Sequence, residues 1–122
     1  MQVRELLKNA IEGTGDVAKD LMETATDLIK EGTADIGEIF GSVIQLGAEG
    51  IGDITGGVRD VFVGSVKALE ESGKTTEDAV EVVSMKASSA IGNVSKQGME
   101  DAGTAAQKGI EEAKAIVKSP LK

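Results

Sequence analysis

The stretch that decides the fold is Val3 to Glu71, which in blocks of eleven reads VRELLKNAIEG, TGDVAKDLMET, ATDLIKEGTAD, IGEIFGSVIQL, GAEGIGDITGG, VRDVFVGSVKA, with Leu69-Glu-Glu71 beginning a seventh. Stacked this way, the columns Leu7, Ala18, Ile29, Phe40, Ile51, Phe62 and Leu6, Val17, Leu28, Ile39, Gly50, Val61 are mostly apolar, as is Val3, Thr14, Ala25, Ile36, Gly47, Val58, Leu69. Two further columns, Ala10, Leu21, Gly32, Val43, Ile54, Ser65 and Ile11, Met22, Thr33, Ile44, Thr55, Val66, widen the stripe, with only small or hydroxyl residues interrupting it. Opposite runs Glu5, Asp16, Asp27, Glu38, Glu49, Asp60, Glu71, acidic at every position. Such internal periodicity outranks local signals in reading a chain.

Eleven residues in three turns is about 3.67 per turn, so a seam kept in register drifts to the right and implies a right-handed supercoil. The five apolar columns span an arc of about 130°, wide for a two-stranded seam and ordinary for a core-facing or surface-lying helix. Lys8, Lys19 and Lys30 repeat on the flank, where their stems can cover apolar surface. One helix over this stretch would be about 100 Å long, too long to bury its stripe on itself, and would need a partner surface. Eleven glycines from Gly13 to Gly64 weaken it at roughly 1 kcal/mol each relative to alanine, so burial decides whether it forms.

Working outward, Glu70 to Ala79 interrupts the period. Gly73 suits the residue after a helix end, and Thr75 or Thr76 suits the cap of the next helix, with Glu77 and Asp78 in its first turn. Beyond it, Val80, Ile91, Ala102, Ala113 and Val83, Val94, Ala105, Ile116 are again eleven apart, with Ala87, Gly98 and Gly109 in a third column. These remain in phase with the first half, so one helix running through the joint is an open alternative, as is a break near Gly56-Gly57. The expected organisation is all-α: an amphipathic eleven-residue-repeat helix over 1–71, a turn over 72–77, a shorter Ala/Gly-rich helix over 78–118 stopped by Pro120, and a tail over 119–122. The two helices form a hairpin that assembles into a right-handed coiled coil or helical bundle. The expected assembly interface is Leu7, Ile29, Ile36, Ile39, Phe40, Val43, Ile51, Ile54, Val58 and Phe62. Gly37-x-x-x-Gly41 and Gly52-x-x-x-Gly56 place small residues beside the stripe, as in close helix packing.

Composition narrows the chemistry. The 122 residues contain no His and no Cys, which removes the usual neutral-pH general base, the thiol nucleophile and the commonest soft metal ligands. Members of the acidic column lie about 16 Å apart along one helix, too far for a paired-carboxylate site or a calcium cage. Ser65, Ser84, Ser88, Ser89 and Ser95 have no histidine to activate them. Gly13 and Gly15 follow no strand, and Gly73-Lys74-Thr75 lacks the upstream glycine of a phosphate loop, where Ala68 stands. No enzyme activity, cofactor or metal is expected. Residues 1–71 carry 6 basic and 14 acidic side chains and hold the whole net charge of −8, while 72–122 carry 7 of each. That balance repels nucleic-acid phosphates and gains nothing from anionic lipid. The first residues, MQVRELLKNAIEG, lack a signal-peptide core, and the longest uncharged apolar run, Ile39 to Ala48, is too short to span a bilayer. A cytoplasmic address, peripheral to a membrane or granule in one reading, is expected.

The unbroken eleven-residue columns resemble those of hendecad coiled-coil proteins, which implies right-handed helical assemblies. The Ala, Gly and amphipathic-helix composition is similar to that of phasins, which coat storage granules, and Gly103-Thr-Ala-Ala-Gln-Lys-Gly-Ile-Glu-Glu-Ala-Lys114 resembles late-embryogenesis-abundant repeats. Ile, Leu, Val and Phe stand where the latter carry mainly Ala and Thr. Three functions follow as expectations: a non-enzymatic structural protein that self-associates as a homo-oligomer through its repeat helices; a coat on a lipid or polymer granule or membrane surface; and a stress-protective disordered chain.

Overall fold

The computed structural model describes residues 3–32 and 34–118, so the tail over 119–122 with Pro120, and Thr33 of the stripe, lie outside the described residues. Within them the chain is helical without strands: α1 (Val3–Glu12), α2 (Val17–Lys30), α3 (Ile36–Ala48), α4 (Ile54–Glu71), α5 (Thr76–Lys96) and α6 (Glu100–Lys118). The single helix expected over 1–71 is therefore four helices, and that expected over 78–118 is two. Between Glu71 and Thr76 the chain turns, so α5 begins two residues before the second helix expected from 78.

Four of the five breaks among the described residues share one chemistry, the joint at 13–16 having no glycine of positive φ. Gly32, Gly50, Gly73 and Gly98 each follow a helix with a positive φ, between 70° and 110°, which glycine adopts without penalty. At Gly50 the amide donates to the Gly47 carbonyl at 3.0 Å and the Ile51 amide to Leu46 at 2.9 Å; Gly73 with Lys74, and Gly98 with Met99, repeat the pattern. These paired bonds satisfy carbonyls that a helix end otherwise orphans. A side-chain oxygen caps three of the following helices: Asp16 accepts from the Lys19 amide, Asp53 from Gly56 and Thr75 from Asp78, whereas Asp35 precedes α3 without a side-chain cap bond. Gly56-Gly57 lies inside the first turns of α4, so the break falls just before it.

Reversing the chain at these joints turns the stripe upon itself. The central helix is α4, packed against α2, α3, α5 and α6, while α1 closes over α2 and α3. Accordingly α4 is buried over most of its circumference, at Val58, Asp60, Phe62, Gly64 and Val66 among others, with Lys67 exposed on the remaining side, as suits a helix in the middle of a core. Phe40 of α3 meets Phe62 of α4 edge-on, with ring centroids 6.3 Å apart. No helix among the described residues is long and apolar enough to cross a membrane.

Two crossings bring backbones together. A Cβ on Gly64 would lie 2.6 Å from the Met22 carbonyl oxygen of α2, and one on Gly109 would lie 2.5 Å from the Thr55 carbonyl oxygen of α4. Each crossing carries a threonine latch. The Thr26 hydroxyl shares its proton between the Met22 carbonyl at 2.7 Å and the Gly64 carbonyl at 3.0 Å, and the Thr55 hydroxyl donates to Ala105 of α6 at 2.9 Å.

Candidate functional surface and the pocket beside Asp60

All ten stripe residues expected at an assembly interface meet in the core of the single chain. Leu7, Ile36, Ile39, Phe40, Val43, Val58 and Phe62 are buried, and Ile29, Ile51 and Ile54 pack against them half-buried. The partner surface that the stripe requires is thus supplied by the chain's own helices. The glycines expected to mediate close packing do other things. Gly41 has nothing near it, Gly37 faces only the Asp35 carboxylate, Gly56 lies beside the Asp53 and Arg59 side chains, and Gly52 turns a loop at φ 81° beneath Ile11. Gly64 and Gly109 take the helix-to-helix role, which depends on which helices pair and so carries no local signal.

The acidic column is split by the fold. Glu5, Asp27 and Glu38 remain exposed, and Asp16 caps α2. Glu49 receives a two-pronged bond from Arg4, at 2.6 and 3.1 Å, which ties α1 to the end of α3. Glu71 pairs with Lys30 at 2.8 Å, tying the ends of α4 and α2. The hydrogen bonds from Arg4 and Lys30 hold both carboxyls below the usual glutamate range. Both pairs are solvent-exposed, so salt screens them and their weight in stability is small.

Asp60 departs from the solvated face expected of its column, being only 6% exposed. It lies in Val58-Arg-Asp-Val-Phe-Val63, apolar on both sides of the charges, and this is the sequence signal that its helix is enclosed. Its Oδ1 accepts from Arg59 Nε at 3.1 Å, and Arg59 Nη1 also reaches Glu112 of α6 at 3.5 Å. Burial raises the Asp60 pKa above the ordinary aspartate value, with Asp16 and Asp53 adding to the rise, and Arg59 offsets only part of it.

A raised native pKa has a definite sign for stability. The native state holds the Asp60 proton more tightly than the unfolded chain, so this group's contribution is fully present below the ordinary aspartate pKa of about 3.9 and is lost as pH rises through the native value. Glu49 and Glu71 run oppositely, contributing above the ordinary glutamate pKa and losing it as pH falls. Urea midpoints of the wild type and Asp60→Asn, followed from about pH 3.5 to 7, should show the variant gaining on the wild type through the Asp60 window and then running parallel. A constant offset at every pH would show that the carboxylate titrates alike in both states.

Asp60 and Arg59 line a pocket of about 200 Å³ where α1, α2, α3 and the start of α4 meet, walled by Ile11, Leu21, Val43 and Ile51. The fully buried Ser65 hydroxyl has no hydrogen-bond partner among the described residues and no path to a substrate. Nor does any group of three or more acidic, His or Cys side chains among them stand where it could hold a metal ion. Compared with family models, curated proteins and solved structures, the chain finds no match in any of the three.

Proposed function

We propose that the protein is a non-enzymatic amphipathic coat for an apolar surface of neutral lipid or polymer, and that the bundle is its closed form. The observation that carries this reading is the survival of the eleven-residue phase across joints of unequal length, at 13–16, 31–35 and 49–53. Independent helices in a bundle need no common phase. Here the residues that face the core would lie on one arc if the joints became helical, with the acidic column facing water. Hinges of this kind absorb the change in φ and ψ, and the surface supplies the differential affinity that shifts the population.

The stripe's width and its smooth positions at Gly47, Gly50, Thr55 and Ser65 suit a continuous apolar phase better than the toothed seam of a two-stranded coil. The net charge of −8 favours neutral rather than anionic surface. Likeness to phasins in composition points the same way.

The chain has no native cysteine, so a Glu5→Cys, Glu38→Cys double variant takes two spin labels at exposed positions of α1 and α3. These helices pack together in the bundle. On triolein droplets covered with phosphatidylcholine, the chain should float with the droplets and the label distance should lengthen to about 50 Å, that of 33 residues of continuous helix. Failure to float, or flotation with an unchanged distance, would remove the proposal. Lengthening with protein concentration alone, in the absence of droplets, would transfer the opened stripe to self-association.

A further inference from the structure

We propose that the pocket beside Asp60 is a binding site for a small primary ammonium carried on an apolar body, an alkylamine being the simplest case. Its volume, about 200 Å³, exceeds the roughly 150 Å³ at which an apolar cavity admits benzene, so a ligand of about six to ten non-hydrogen atoms fits. The walls from Ile11, Leu21 and Val43 come from three different helices and offer only hydrocarbon. Polar groups converge on the α4 side. Asp53 and Asp60 both line the pocket, and Asp16 lies close enough to act on the Asp60 charge.

Charge selects the ligand class. Among the described residues Arg59 is the one cation lining the pocket, and it is divided between Asp60 and Glu112. Asp60 Oδ1 is engaged by Arg59 and Asp53 Oδ2 by the Gly56 amide, while the second oxygen of each carboxylate accepts no hydrogen bond from any described residue. An anion would meet excess negative charge here. A neutral apolar molecule would leave the Asp60 carboxylate desolvated without compensation. An ammonium supplies three donors and a full charge, which charge-assisted bonds to the free oxygens would use. The burial that raises the Asp60 pKa is the same desolvation that a bound cation relieves. Val17, 38% exposed, stands at the rim, so the site is reachable from solvent without unfolding.

The test is calorimetric titration of the full chain with n-pentylamine, with n-pentanol as the uncharged match, backed by amide chemical-shift mapping. Pentylamine should bind saturably, about tenfold or more tighter than pentanol, with shifts centred on Ile11, Leu21, Gly52 and Asp60. Asp60→Asn should reduce amine affinity about tenfold or more. Ala18→Phe, a substitution on the pocket wall that leaves every carboxylate in place, should abolish it while the helical spectrum is retained. Equal affinity for amine and alcohol, unchanged amine affinity in Asp60→Asn, shifts located elsewhere, or no saturation by about 10 mM would each overturn the assignment.

Discussion

Gly109→Ala and Gly64→Ala each lower the stability of the bundle by about 2 to 3 kcal/mol, although alanine is the better helix former at both positions by about 1 kcal/mol. The new methyl group at 109 would lie 2.5 Å from the Thr55 carbonyl oxygen, 3.1 Å from Val58 Cβ and 3.2 Å from the Arg59 amide nitrogen. At 64 it would meet Met22 backbone atoms at 2.6 and 3.0 Å. These neighbours are mostly main chain and cannot swing aside, so the helices must part, stretching the Thr55 bond to Ala105 in one case and the Thr26 bond to Gly64 in the other. Against a total stability on the order of 5 to 15 kcal/mol, the two changes together, about 4 to 6 kcal/mol, remove a large fraction of it. Gly41→Ala is the control, since nothing lies within 4 Å of its Cβ position; it should stabilise by about 0.5 to 1 kcal/mol. Urea denaturation of the three variants decides, and equal effects at 41, 64 and 109 would show that the crossings are looser than described. Under the coat proposal the crossing variants have a second consequence. Alanine weakens only the closed form and favours the opened helix, so both should bind neutral droplets more tightly than the wild type.

Much of this architecture is legible in the apolar columns, and the reasons why the rest is not are specific. Within the helices most large apolar residues of the columns are in the core, from Leu7 through Phe40 to Phe62, while Val17 and Ile116 of the same columns are exposed. They say nothing about where the helix stops, because the joints of four or five residues keep the eleven-residue phase. Gly73 and Thr75 are readable as a joint because a charged run also breaks the period there. Gly50 and Gly52 with Asp53 have the same glycine-then-cap chemistry, and Gly32 with Asp35 has the same residue pattern without the side-chain cap bond, but apolar residues continue in phase through both and mask them. From one uninterrupted helix it follows that the stripe needs an outside partner; from four helices, the last three joined through left-handed glycines at 32, 50 and 52, it follows that the stripe can face itself. The pocket and Asp60's burial depend on how four segments meet. Only the apolar surroundings of Asp60 hint at them.

Phe62→Ala should cost about 3 to 5 kcal/mol, the usual range for removing a fully buried ring. Phe62 is 0% exposed on the central helix, and its loss also removes the edge contact with Phe40 at 6.3 Å, a term of about 0.5 to 1.5 kcal/mol. Phe40→Ala should cost a similar amount, and the double variant should cost less than the sum, because the first deletion has already removed the ring contact. Met85→Ala, at a side chain 69% exposed on α5, should change stability by less than about 0.5 kcal/mol. Chemical denaturation of the cycle checks the pair, and strict additivity would mean that the rings do not support one another. On droplets Phe62→Ala separates from the glycine variants. Phe62 lies on the stripe, so its truncation weakens the closed core and removes an anchor from the opened helix. It should therefore gain little or no droplet affinity despite the larger loss of stability, whereas Gly109→Ala gains affinity from a smaller one. If droplet binding instead rose with instability alone, Phe62→Ala would bind best, and the apolar surface would be capturing unfolded chain rather than an aligned stripe.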